Sequence, residues 1–193
     1  MDRILYFPQA GPANTGAVID CVGARLAAGD IGHVVVASTT GSSARRLQAA
    51  LAGTPVRLIV VGEHAGFSGG DAQRLEPTVR AALEADGAAV FVGSHALSGV
   101  GRSVSSRFGG LGPAEIIAHT LRRFGGDGLK VAVEVAIMAA DAGLVPTDRD
   151  VLAVGGTGGG WDTAIVLRAA HQNSFFDLEI REVLAKPRQR GTA

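Results

Sequence analysis

Three short apolar runs rich in β-branched residues, HVVVAS (33–38), VRLIVVG (56–62) and AAVFVG (88–93), alternate with helical periodicity at 42–52 and 71–86. Strands separated by helices of this length need crossover connections, so the three must run parallel in a sheet covered on both faces. A fourth run, VLAVGG (151–156), extends the parallel set. The link from it to TAIVLRA (163–169) is shorter than the roughly dozen residues a parallel crossover requires, which predicts an antiparallel fifth strand at an edge. The fold class is therefore α/β. Helices are expected from an Asn14 cap to a Gly29 stop, from Pro113 to about Phe124, and through the apolar stretch LKVAVEVAIMAADAGLVP (129–146). FFDLEIREVLA (175–185) reads as a closing short strand or helix.

Composition narrows the reading. A chain of 193 residues that is 47% apolar suits one domain, 1–193, with 186–193 as a flexible, solvated tail. Acidic and basic residues balance at 18 each, so no net field draws the protein to nucleic acid or an anionic membrane. No run of apolar residues is long enough to span a bilayer and no export signal is visible, which implies a cytoplasmic protein. The single cysteine, Cys21, lies in a helical pattern and reads as a core residue.

In open parallel sheets ligands bind beyond the carboxyl ends of the strands. At that edge the sequence places Ser38, Thr39, Thr40, Gly41, Ser42 and Ser43, then His64, then Ser94 and His95, then Gly155, Gly156, Thr157, Gly158, Gly159 and Gly160. Hydroxyls and free N–H groups at a helix start form an anion cradle, with Gly41 allowing close backbone approach. The same residue types equally serve an ordinary helix cap. The GGTGGGWDT stretch (155–163) lacks the lysine of a Walker loop, and Trp161 stands where a dinucleotide fingerprint needs its last glycine. Five glycines within 155–160 nonetheless suggest close approach to a ligand. The segment 93–112 reads as a long loop whose Arg102 and Arg107 could fold over an anion.

His64 and His95 are candidate acid–base residues. Glu134 and Asp141, seven apart on one helix face, are further candidates for an enzyme role, with a solvent-facing or subunit-facing stripe as the alternative. His33 and His119 are given structural roles, and His171, after the fifth strand, could approach the site. No metal-ligand spacing and no nucleophile elbow is present, so no metal site is assigned.

The stretch VVVASTTGSSARRLQAAL (34–51) resembles the strand, hydroxyl–glycine turn and helix of the C-terminal domain of pyruvate kinase, where the similar turn grips a phosphate of a sugar bisphosphate effector. The chain as a whole resembles the stand-alone pyruvate kinase C-terminal-like proteins of archaea and bacteria. HALSGVGRSVSSRFGG, VAVEVAIMAADAGLVP, AVGGTGGGWDTAIVLRAAH and NSFFDLEIREVLA carry that resemblance, which extends over most of residues 4–188. It implies a three-layer sandwich around a mostly parallel five-stranded sheet of order 3-2-1-4-5, with strand 5 antiparallel. It also implies a phosphate-bearing ligand such as flavin mononucleotide (FMN) or a sugar phosphate. The barrel that performs phosphoryl transfer in pyruvate kinase has no counterpart here, so that activity is not expected.

Three functions compete at this point. The leading one is a binder of a phosphorylated small molecule at the Ser38–Ser43 and Gly155–Gly160 turns. The second is an enzyme using His64 or His95 at the same site. The third is a homo-oligomeric module in which the apolar 131–145 stretch packs on another subunit.

Overall fold

In a computed structural model describing residues 3–189, all the strand-like runs join one sheet. Along the chain the elements are β1 (Leu5–Gln9), α1 (Thr15–Leu26), β2 (His33–Ala37), α2 (Ser42–Ala50), β3 (Arg57–Gly62), α3 (Pro77–Ala85), β4 (Ala89–Val92), α4 (Val100–Phe108), α5 (Pro113–Asp141), β5 (Asp150–Gly155), β6 (Thr163–Arg168) and β7 (Glu179–Gln189). The sheet has seven strands in the order β1-β7-β6-β5-β2-β3-β4. Only β6 opposes the rest: it is antiparallel to β5 and β7, whereas the β1/β7, β2/β3, β2/β5 and β3/β4 pairs are parallel.

Alternation along each strand builds two cores. Val34 and Val36 of β2, with Leu58, Val60, Leu152, Val154 and Val166 beside them, face Val18, Val22, Leu47 and Leu83 of α1, α2 and α3. Val35, Ile59, Val151, Ala153, Ile165 and Leu167 point the other way, onto Ala132, Val133, Ala136 and Ile137 of α5. Burial on both faces is why the central strands read as unbroken apolar runs rather than alternating ones.

Several expectations need correction. The sheet has seven strands rather than five, and β6 is not at an edge because β7 covers it and β1 covers β7. The closing segment is an 11-residue strand that takes in residues 186–189 of the expected tail; positions 190–193 lie outside the described residues. Helix α3 begins at Pro77, not Asp71. The residue before a proline is pushed out of the α region, and Glu76 is extended at φ −58°, ψ 139°.

The expected long loop at 93–112 contains α4. Val100, Val104 and Phe108 recur every four residues, and glycines at φ 55° (Gly99) and φ 77° (Gly109) bound the helix. Asn14 does not cap α1 with its side chain. Its amide instead donates to the carbonyls of Gln9 and Gly11, and a 3-10 turn at Pro12–Asn14 leads into the helix. Within α5 the chain breaks at Gly126 (φ 81°), separating an outer first half from a buried second half. That second half packs on the chain's own sheet, which buries residues 132–140 within the protein itself.

Candidate functional site

From β2 the chain moves outward to β3 and β4, then crosses through α4 and α5 to β5 on the opposite side of β2. The loops leaving β2 and β5 therefore diverge, and open parallel sheets bind ligands in the crevice such divergence creates. A cleft of about 490 Å³ occupies this position. One wall is Ser38, Thr39, Thr40 and Ser43; another is the glycine loop, through Gly156 and Gly158–Gly160; a third is apolar, from Val131, Val135 and Met138 of α5. Glu63, Arg74, His95 and Glu134 bring titratable side chains to the lining.

The β2–α2 turn is shaped from within. Gly41, at φ 83°, donates its N–H to Ser38 Oγ at 3.1 Å. A Cβ on Gly41 would come within 2.5 Å of Val79 Cγ1 and 3.1 Å of Leu75 Cδ1. The glycine is thus required by its left-handed conformation and by the packing of the 75–83 segment; it does not line the cleft, contrary to the expected role in ligand approach. Ser42 is exposed and also lies outside the lining, whereas Thr39, Thr40 and Ser43 lie within it.

The glycine loop divides in the same way. A Cβ on Gly155 would strike the backbone of Gly128 and Ala132 in α5, one on Gly156 would strike the backbone of Gly160 and Trp161, and one on Gly160 would meet Thr15 and Pro12. These three are packing requirements. Gly158 (φ 68°) and Gly159 (φ 87°) face open space and line the cleft, while Gly155 and Thr157 do not line it.

The loop is anchored by Trp161, which is 1% exposed: its N–H donates to Thr15 Oγ1 at 2.9 Å and its Nε1–H to the Ala37 carbonyl at 2.8 Å. Asp162, fully buried, accepts the Gly11 N–H at 2.9 Å and the Thr163 hydroxyl at 2.8 Å. The two cradle turns are therefore tied to each other and to the 11–15 segment, as a preorganised site requires.

Charges in the cleft come largely from residues other than the anticipated ones. Glu63, immediately after β3, accepts the Thr39 hydroxyl on Oε1 at 3.1 Å, and Arg74 Nη1 lies 3.8 Å from its Oε2. Glu134 is not on a solvent stripe: it is buried, receives Lys130 Nζ at 2.5 Å on Oε2 and accepts the Leu97 N–H at 2.8 Å on Oε1. Burial pushes the Lys130 amine down, and the adjacent carboxylate opposes that shift. His95 lines the cleft; burial is the chief cause that lowers its imidazole, with Glu134 acting in the opposite sense, so the neutral form is favoured.

His64 is absent from the lining. Its Nδ1 lies 2.7 Å from the Ala65 carbonyl, and its ring packs edge-on to Phe67 and His95 at 5.6 and 5.1 Å. Neither arginine of the 93–112 segment reaches the lining: Arg102 sits 5.5 Å over the Phe67 ring, and Arg107 is exposed on α4. His171 pairs with Asp141 at 3.3 Å beyond the end of β6, at the opposite edge of the sheet because β6 runs backward. It cannot approach the cleft.

No known protein-family model matches the chain. Among the described residues no group of His, Cys, Asp or Glu is arranged to hold a metal ion, and no helix is long and apolar enough to cross a membrane.

Proposed function

We propose that the protein binds a phosphorylated small molecule in the cleft between the β2 and β5 loops, with FMN or a sugar phosphate as the ligand class. The observation that carries this reading is the position of the cleft at the point where strand order reverses, walled by Thr39, Thr40, Ser43 and the open glycines Gly158 and Gly159. The start of α2 brings N–H groups without intrahelical acceptors, and Arg74 is an exposed cation in the lining. The apolar wall of Val131, Val135 and Met138 suits a ring or a carbon chain. The likeness of residues 34–51 to the phosphate-gripping turn of pyruvate kinase C-terminal domains supports the same assignment.

Thermal denaturation tests it. FMN or ribose 5-phosphate at about a hundred times its dissociation constant should add about 2.7 kcal/mol to the folded state. Riboflavin and ribose should add far less, and equal shifts with and without the phosphate would defeat the cradle. A second reading, proton transfer, rests on His95, the candidate histidine that lines the cleft. His95→Gln should then abolish any turnover of a bound ligand while leaving its affinity within a few-fold.

A further inference from the structure

Helix α4 is built inside out. Its polar side chains turn to the body of the protein: the Ser105 hydroxyl donates to Glu115 at 2.6 Å, and Arg102 lies 5.5 Å over the Phe67 ring. Val100, Val104 and Phe108, spaced by fours and so on one stripe, turn to solvent. The display continues past the helix through Leu111, Ile116 and Phe124, and the six side chains are 50% to 81% exposed. They are half of the twelve large apolar side chains that stand exposed among the described residues. Scattered exposed apolar residues need no explanation, whereas this concentration on one small unit does. The unit is itself well tied. Glu115 Oε2 accepts both the Ser105 hydroxyl and the Gly112 N–H, which latches α4 to the first half of α5 as a helical hairpin ending at the Gly126 break.

We infer that this hairpin, residues 100–124, is the surface on which a second copy of the chain docks, giving a two-fold dimer. The area fits. Full burial removes about 150–250 Å² from an aromatic side chain and about 60–120 Å² from a Val, Leu or Ile, so at these exposures the six offer about 400–700 Å². A standard interface takes about 800 Å² from each partner, about 65% of it apolar in homodimers, or roughly 500 Å². The shape fits too: two such hairpins laid face to face close into a four-helix contact in which each copy's apolar side chains meet an equal set. Charge favours the copy over an acidic protein or an anionic bilayer, either of which would be met by cations gathered around the apolar stripe. Here Arg102 turns inward onto Phe67, and Arg122 is paired with Asp127 at 2.6 Å. Arg107 sits at the end of α4 and Arg123 about 15 Å further along α5, so both fall on the wet rim, where like charges repel weakly through salt water. The contact also reaches the cleft, because the Phe67 ring that carries Arg102 lies 4.9 Å from His95.

Sedimentation velocity of the full chain over about 1 to 200 μM tests this, since a dimer must form as concentration rises. Val104→Lys and Phe108→Ser should each weaken association about 30-fold or more, the scale of a lost hot spot. Phe176→Ser, at an equally exposed position outside the hairpin, should leave it unchanged. Helix α4 buries no residue within its own chain, so these variants should fold as monomers. A second measurement needs no variant: in the wild type, α4 amides that exchange freely in dilute protein should gain protection as the concentration is raised. A monomer at every concentration overturns the inference, as does a dimer that Val104→Lys leaves intact or that Phe176→Ser breaks as readily. A monomer that sediments with phosphatidylserine vesicles through the same residues overturns it in favour of a bilayer.

Discussion

Helix α4 and the second half of α5 lie close in sequence and are both rich in small and apolar residues, yet the fold treats them oppositely. From Leu129 to Ala140 α5 is almost wholly buried, and it carries a lysine and a glutamate into the core as a mutual pair. Helix α4 buries no residue at all; Val100 and Phe108 are 79% and 81% exposed. Its ties to the body are few: the Ser105 hydroxyl on Glu115 at 2.6 Å, Arg102 over Phe67 and, just before the helix, Leu97 with its N–H on Glu134. Apolar content therefore does not locate the core. What does is whether the helix lies against the sheet, and only the second half of α5 does so along its length.

If the comparison is sound, the largest effect belongs to the buried pair. Lys130→Met strands the Glu134 carboxylate in the core and should cost about 3–5 kcal/mol in chemical denaturation, with Lys130→Met/Glu134→Leu recovering most of it. A loss below about 1 kcal/mol for the single variant would mean that the pair is solvated and the contrast false.

A sharper version uses one substitution in two places. Gly128→Ala, whose new methyl would meet Thr163 and Asp162, should destabilise by about 1–3 kcal/mol through overpacking. Gly101→Ala in α4 meets nothing within 4 Å and should stabilise by about 0.5–1 kcal/mol through helix propensity. The same sign at both sites would erase the distinction.

A smaller effect concerns pH. The folded state lowers the His95 imidazole below its ordinary value of about 6.5, so in acid the unfolded chain takes a proton that the folded one refuses. Stability should fall as pH drops through that value and level off once the folded-state histidine also protonates, and His95→Gln should flatten the decline. Smallest of all, Val104→Ser and Phe108→Ser should shift stability by no more than about 0.5 kcal/mol. Amides of α4 should exchange through local opening, long before those of residues 129–140.

The sequence revealed the five strands from β2 to β6 and missed β1, while β7 was left between strand and helix. β2, β3 and β5 announce themselves because alternate residues enter two different cores, and the reversal of β6 followed from a link too short for a crossover. β1 and β7 carry prolines at 8 and 187 and many exposed positions, so neither shows the apolar signal of a central strand. At the site, hydroxyls clustered after β2 gave away one wall of the cleft. The glycines misled, because most of their demand is internal: Gly41 against Val79, Gly155 against α5, Gly160 against Pro12.

Glu63 was one residue from the histidine that drew notice, and its position directly after a strand at the same edge was the available clue. Lys130 and Glu134 also left a trace, as opposite charges four apart in an otherwise apolar helix. The Asp162–Gly11 and Trp161–Thr15 links join segments about 150 residues apart, and no local pattern records them.

The pairing of β1 with β7, Leu5 beside Ala185, has a consequence for how the molecule is made. On a ribosome adding about 5–20 residues per second, β1 emerges long before β7, the strand it pairs with, exists. For that interval of roughly 10–40 s its partly exposed Leu5 and Tyr6 have no ladder to join, although β2, β3 and β4 can already assemble. Synthesis order and assembly order thus run in opposite directions for this strand: it leaves the tunnel ahead of the other six yet is among the last to be secured, and released chains truncated before residue 179 should leave it open to protease while the centre of the sheet is closed.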